Sequence, residues 1–175
     1  KTTLESYSRP RANGIIALGL REDDRLIRVT LTDGNSQMLV ASYNGKVVRF
    51  PEDTVRPMGR TATGVRAIKL DEDGKDRVIG MICVEQGSKD SVLVISEKGF
   101  GKRTLLDDEN GEPIYRITNR GGKGVKTMNI TDKTGNLIGL EAVNDDMDLM
   151  LITKAGTAIR MAMDTIRVMG RATQG

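Results

Sequence analysis

The chain has 175 residues, a net charge of +3, no histidine and a single cysteine, Cys83. The length is sufficient for a buried core. The missing histidine excludes Ser-His and Cys-His nucleophile pairs, a single cysteine excludes an intrachain disulfide and a cysteine-only zinc site, and the scarcity of aromatic residues argues against a base-stacking platform.

Three ordered sequence markers divide the chain into repeats. The first marker is a glycine that opens an apolar run, at Gly14, Gly64 and Gly124. The second is a glycine followed four residues later by an arginine, in the pairs Gly45/Arg49, Gly99/Arg103 and Gly156/Arg160. The third closes each repeat at residues 53–60, 114–120 and 164–171, which we call the connectors. Such periodic markers indicate a repeat architecture.

Each repeat is predicted to contain four short strands, because β-branched runs alternate with turn residues. In chain order the predicted strands are 14–20, 25–31, 36–42 and 46–50, then 64–70, 77–83, 91–96 and 101–106, then 124–130, 136–143, 148–153 and 157–161. The Asn44-Gly45 pair is a strong hairpin signal, since a type I′ turn needs positive φ at both positions. No helix is predicted.

Four strands in a repeat of roughly 50 residues match the size of a propeller blade. We therefore expect an all-β, propeller-like fold of four-stranded blades that forms a partial ring of about three complete repeats. The predicted division is a tail of a preceding blade at 1–13, blades at 14–63, 64–123 and 124–174, and the start of a next blade at 175. The chain is accordingly expected to be part of a longer protein. A stack of three hairpin domains or a β-solenoid is the structural alternative.

The charge of the chain alternates in phase with the repeats. The opening segments 14–41, 70–95 and 127–152 have net charges of −1, −3 and −4, and the closing segments 42–69, 96–126 and 153–175 have +4, +2 and +3. In a radial arrangement equivalent segments occupy equivalent positions, so this pattern predicts one basic rim suited to a curved polyanion. Ordinary solvated loops are the alternative explanation for any single lysine.

Two sets of arginines recur at a fixed phase. One set, Arg49, Arg103 and Arg160, projects from predicted fourth strands, and the other, Arg60, Arg120 and Arg171, lies in the connectors. Phosphate contact and a structural anchor compete as roles. The connector set is expected to bind nucleic acid, and both roles stay open for the strand set. The complete candidate set is Lys46, Arg49, Arg60, Arg66, Lys102, Arg103, Arg120, Lys123, Lys126, Arg160 and Arg171.

The sharpest local motif is the loop Arg120-Gly-Gly-Lys-Gly124. Two glycines between cations give a flexible loop with free N–H donors, which suits a phosphate backbone. A glycine-rich turn entering a strand is the alternative.

No catalytic or metal-binding residue is expected. The acidic clusters at 71–76, 107–109 and 145–148 lie at predicted turns, and Lys75 and Ile82 occupy positions where a calcium loop needs ligands. The three tyrosines have no histidine to activate them.

The chain resembles the family of C-terminal domains of DNA gyrase A, part of a bacterial type II topoisomerase. The resemblance covers essentially the whole chain, and it is carried by residues 8–18, 55–66 and 168–175. It implies a β-pinwheel, a propeller-like ring of about six blades whose basic rim bends and wraps duplex DNA without sequence specificity. That wrapping would support ATP-dependent negative supercoiling by the whole enzyme.

One departure from the family concerns its basic box, which begins Gln-Arg-Arg. Here Thr118 and Asn119 precede Arg120, so Arg120 and Lys123 match only the second half of the box.

The resemblance also implies where the rest of the enzyme's functions lie. Double-stranded DNA, the rest of gyrase A and gyrase B are the implied partners, with no membrane, in the bacterial cytoplasm at the nucleoid. The active-site tyrosine and the ATP and magnesium sites belong to other regions, so no cofactor is expected here. The topoisomerase IV counterpart and a propeller-like protein-interaction platform are the functional alternatives.

Overall fold

The computed structural model describes all 175 residues and contains nine β-strands, three short 3₁₀ turns and no α-helix. The strands are β1 (Gln37–Ser42), β2 (Lys46–Pro51), β3 (Val78–Val84), β4 (Ser91–Ser96), β5 (Gly101–Leu105), β6 (Val125–Lys126), β7 (Leu137–Val143), β8 (Asp148–Ile152) and β9 (Ala158–Ala162). The 3₁₀ turns are Leu4–Tyr7, Glu52–Thr54 and Met163–Thr165. The all-β prediction is confirmed. None of the helical segments has the length and apolar character needed to cross a bilayer.

The third and fourth predicted strands of every repeat form antiparallel hairpins, namely β1–β2, β4–β5 and β8–β9. Each hairpin turns at the glycine of the second marker, which has a positive φ in all three repeats. The register is also the same, because the cross-strand pairs are Leu39 with Arg49, Leu93 with Arg103, and Met150 with Arg160. The sequence repeats are therefore structural repeats.

The predicted first strand of each repeat and the predicted second strand of the first repeat are mostly wrong. Residues 14–20, 25–31 and 64–70 are not strands, apart from one isolated bridge at Ile68, and of 124–130 only Val125–Lys126 is a strand. A strand exists only where a neighbour accepts and donates its main-chain hydrogen bonds. No strand pairs with 25–31, where Val29 and Leu31 are exposed.

The second predicted strands of the last two repeats are confirmed as β3 and β7, and they pair across repeat boundaries. The first sheet has the order β3-β1-β2-β6, the second β5-β4-β7 and the third β8-β9. The β1–β3 and β4–β7 pairs share the same irregularity, at Ala41/Ser42 and at Ile95/Ser96. The first two sheets therefore combine strands from neighbouring repeats, whereas each predicted blade used strands of one repeat.

The first two sheets pack face to face over the main hydrophobic core. This core contains Leu39, Ala41, Val47, Ile82 and Val84 from the first sheet, Val92, Val94, Leu137 and Leu140 from the second, and Leu106, Tyr115 and Met128 from the segments between them. Tyr115 is fully buried, and its hydroxyl lies 2.6 Å from Thr127 Oγ1. This packing of sheets on one another is that of adjacent propeller blades.

Candidate nucleic-acid interface

The second and third connectors lie against the fourth strand of the repeat that precedes their own. Thr118 N donates to Arg49 O at 2.9 Å, and Met169 N donates to Arg103 O at 2.8 Å. The bridges Arg49 with Ile117 and Arg103 with Val168 are both parallel. We call these two contacts the first and second junctions. Because each connector covers a strand of another repeat, the junctions decide which basic side chains remain accessible.

Arg49 anchors the first junction and is 6% exposed. Its Nη1 donates to Asp107 Oδ1 at 2.7 Å and to the carbonyl oxygens of Leu106 and Tyr115 at 3.1 and 3.2 Å. Its Nε donates to Gln37 Oε1 at 2.6 Å. These donors have found acceptors inside the protein, so the structural role applies to Arg49 rather than phosphate contact.

Arg103 has the same role at the second junction, where it is 7% exposed. Its Nε donates to Ile166 O at 2.7 Å, and its Nη1 forms an ion pair with Asp145. Ile166 occupies the place in its connector that Tyr115 occupies in the preceding one. Equivalent arginines therefore donate to the equivalent connector carbonyl group at both junctions. The candidate role in phosphate binding does not fit Arg103.

Lys102 is also removed from the candidate interface, because its side chain is fully buried. Its Nζ donates to the carbonyl oxygens of Gly170 and Arg171 and to Thr173 Oγ1. Burial, together with the nearby charge of Arg171, lowers the pKa of Lys102 to about 8. The Lys102 ammonium is therefore buried inside the second junction, where its hydrogen-bond acceptors belong to the protein.

The remaining two hairpin cations are neutralised by neighbouring carboxylates. Lys46 forms an ion pair with Asp71, and Arg160 is paired with Asp148 through Nε and Nη2. Arg160 is exposed, unlike its equivalents Arg49 and Arg103. Both ion pairs would have to be broken for these cations to bind a phosphate fully.

The connector arginines share one hydrogen bond within their own repeats. Nη1 of Arg60, Arg120 and Arg171 donates to Ile16 O, Arg66 O and Lys126 O, at 2.5, 3.4 and 2.9 Å. Each acceptor lies two residues after the glycine that opens the repeat. Arg60 and Arg171 are half-buried and Arg120 is exposed. Each guanidinium is therefore oriented by the protein and keeps further N–H donors free for a ligand.

The other three candidate residues are exposed. Arg66, Lys123 and Lys126 reach solvent, and their side chains form no ion pair within the protein. Arg66 and Lys126 lie next to the connector arginines, because their carbonyl groups accept hydrogen bonds from Arg120 and Arg171.

One further set of arginines was missed by the sequence-based prediction. Arg56, Arg116 and Arg167 occupy the same connector position, four residues before Arg60, Arg120 and Arg171. All three are exposed, and none forms an ion pair within the protein. The signal was present in the third marker, which contains two arginines four residues apart in every repeat.

The acidic cluster at 71–76 serves the neighbouring hairpin turn. Asp71 and Asp73 accept from the Asn44 side-chain amide, and Asp76 accepts from Asn44 N. Hydrogen bonds from Lys46 and Asn44 lower the pKa of Asp71. These contacts fit the predicted role of a solvated turn.

Comparison with known proteins places the chain in one family. The model described as "DNA gyrase C-terminal domain, beta-propeller" matches residues 1–33, 37–85, 90–144 and 148–175. The DNA gyrase A protein of Staphylococcus aureus (strain MRSA252) is 45% identical over all 175 residues, and the chain spans 19% of that relative's length.

Two solved structures share the fold. A crystal structure of the C-terminal domain of DNA topoisomerase IV has a TM-score of 0.87 and 22% identity, over 99% of this chain and 52% of that one. A structure of a DNA gyrase A C-terminal domain has a TM-score of 0.80 and 23% identity, over 93% of this chain and 53% of that one. The family-model segment 37–85 contains three of the four strands of the first sheet, β1 to β3, and the segment 90–144 contains β4, β5 and β7 of the second sheet together with β6.

Proposed function

Since the chain belongs to the family of DNA gyrase C-terminal domains, we propose that it binds duplex DNA without sequence preference and bends it along its connectors. The chain spans about a fifth (19%) of the length of the curated relatives that it matches. The proposal therefore assigns it the DNA-wrapping part of a bacterial type II topoisomerase. Cleavage, ATP, magnesium and the contacts with gyrase B belong, in this proposal, to other parts of the enzyme, in the bacterial cytoplasm.

The observation that carries this proposal is the recurrence of exposed arginine in the connectors. Arg56, Arg116 and Arg167 share one position in the three repeats and are all exposed. A planar guanidinium fork matches the oxygens of a phosphate. Because the connectors repeat with the sheets, these arginines present one phosphate-binding group for each repeat.

The connector arginines support the same proposal. Arg60 and Arg171 are each held by one main-chain carbonyl group and Arg120 by two, so their orientation is set before a ligand binds. Ordering a long side chain in advance lowers the entropic cost of binding. Repeats that offer prepared cations along a curved surface favour a bent duplex over a straight one, since bending adds contacts that offset its deformation energy.

The absence of sequence preference follows from the elements that carry the cations. Reading base edges in the major groove requires an α-helix or a two-stranded ribbon inserted into the groove. Here three exposed arginines without an ion pair, Arg56, Arg116 and Arg167, lie in irregular connectors, and the chain has no α-helix. Contacts to phosphate position the duplex and carry no sequence information.

Binding to duplexes of increasing length, measured across a range of salt concentrations, tests the proposal. The plot of log K against log salt should be linear, with a slope of about −0.9 for each phosphate neutralised. Affinity should rise with duplex length until the connectors are occupied, and two unrelated sequences should bind alike. Affinity that does not change with salt, or a strong preference for one sequence, would contradict it. A protein-interaction platform would show no gain in affinity as the duplex lengthens.

A further inference from the structure

The two junctions differ in one structural feature that the repeat pattern does not predict. The first junction contains a cleft of about 280 Å³, whose lining includes Val48, Arg49, Arg116, Gly122, Lys123 and Gly124. Val48 and Lys102 are equivalent, because each stands one residue before the strand arginine of its hairpin. A valine lies at the first junction, where the second junction has a buried ammonium.

The equivalent volume at the second junction is filled by protein. The Lys102 ammonium donates hydrogen bonds to the carbonyl groups of Gly170 and Arg171 and to the Thr173 hydroxyl. The residue equivalent to Thr173 is Gly122, which has no side chain. Lys102 and Thr173 occupy this space at the second junction, whereas the short, apolar Val48 and Gly122, which has no side chain, leave it open at the first.

The cleft is positively charged. Arg116 and Lys123 line it, and neither forms an ion pair with the protein. Arg49, at its inner wall, is already committed to Asp107. The position of Lys123 is held by Thr63 and Gln174 in the other two repeats, so this second cation is particular to the first junction.

Main-chain donors add to these charges. The N–H groups of Lys123 and Gly124 donate to no main-chain carbonyl group, whereas Gly121 N donates to Ala67 O and Gly122 is bridged to Ile68. Gly121 and Gly124 have φ of 82° and 74°, a backbone that L residues rarely adopt. Consecutive free N–H groups beside such residues form anion-binding concavities.

We propose that this cleft holds one backbone phosphate of the bound duplex, between Arg116, Lys123 and the glycine loop. The proposal rests on the proposed function and adds that the two junctions differ in how strongly they bind phosphate. The first junction binds a phosphate inside a cleft. At the second junction Lys102 fills the equivalent space, so a phosphate can contact only the exposed cations of the connector. A charge-assisted hydrogen bond in a cleft contributes more than an exposed ion pair.

Three equivalent arginines provide a matched test. Arg116→Gln, Arg56→Gln and Arg167→Gln each remove one exposed positive charge at the same connector position, and only Arg116 lines the cleft. For a duplex long enough to span the connectors, we expect Arg116→Gln to weaken binding about tenfold. We expect the other two to weaken it about twofold. Equal losses for all three would overturn the proposal while leaving the salt-dependent binding of the proposed function intact.

A second variant tests the volume of the cleft without changing its charge. Gly122→Thr introduces the residue found at 173, and a Cβ at 122 would meet only Asn119 O, at 3.7 Å. The expected result is an unchanged melting temperature and a loss of affinity of about tenfold. A folded Gly122→Thr protein that binds like the wild type would overturn the proposal. If the wild type bound no DNA at any salt concentration, the proposed function itself would fail.

Discussion

Arg49 of β2 and Asp107, which follows β5, lie 58 positions apart in the sequence and form an ion pair with Nη1 2.7 Å from Oδ1. Arg103 and Asp145 form the corresponding pair at the next junction, 42 positions apart. These arginines hold successive sheets together, because each also donates to a carbonyl group of the connector that covers it.

Arg49→Gln should destabilise the fold by about 3 kcal/mol, because it leaves the Asp107 carboxylate and two carbonyl groups without their donor. Arg160→Gln is the matched control. It removes the equivalent arginine from an exposed pair, with an expected cost below about 1 kcal/mol. Urea unfolding of both variants measures the difference. Equal costs would contradict the anchoring role of Arg49.

Glu52 should make the stability of the chain depend on pH in the acidic range. Its carboxylate is 3% exposed and accepts from Lys1 Nζ at 2.7 Å and from Thr32 Oγ1 at 2.8 Å. Burial raises the pKa of Glu52, but these hydrogen bonds outweigh it, and the net pKa lies below its usual range.

A carboxyl with a lowered folded-state pKa stabilises the fold at neutral pH, and this contribution is lost as the pH falls through that pKa. Glu52→Gln should therefore cost about 1–2 kcal/mol at pH 7. The gap to the wild type should close on acidification. Unfolding curves at several pH values measure it, and a gap that stays constant down to low pH would refute the assignment.

Lys102 should make the stability of the chain depend on pH in the alkaline range. Its folded-state pKa is lowered to about 8 from 10.5, so between these values the unfolded chain binds more protons than the folded one. The stability of the wild type relative to Lys102→Met should accordingly rise with pH across this window. Thermal unfolding at a series of pH values tests the sign. A difference that falls with rising pH would show that the ammonium is better solvated than its burial implies.

Gly124 should tolerate no side chain. It has φ of 74°, and a Cβ there would lie 2.6 Å from Val47 O. Gly124→Ala should destabilise the fold by about 2–5 kcal/mol through backbone strain and displacement of β2. Gly156 has a φ of 85°, and a Cβ there would meet no other atom. Gly156→Ala therefore introduces backbone strain without a steric clash and should cost about 1 kcal/mol. Calorimetry of the pair separates the two contributions.

The sequence by itself determined the repeats, the all-β class and the three hairpins. These features depend on local patterns: β-branched runs, a turn glycine with positive φ, and a fixed distance from that glycine to an arginine. The phase of the basic residues was equally readable, since it needs only the alignment of three markers. The additional connector arginines, Arg56, Arg116 and Arg167, could have been found in the same way.

Only the tertiary structure decided which strands pair and which cations are free. Residues 77–83 were recognisable as a strand, but their partner is β1 of the preceding repeat, and 25–31 have no such neighbour. Arg49 and Arg160 have the same place in their hairpins, yet Arg49 is buried by a connector and Arg160 is exposed. The burial of a side chain depends on the surface that folds over it. For Arg49 that surface lies more than fifty residues away in the sequence, beyond the reach of any local pattern.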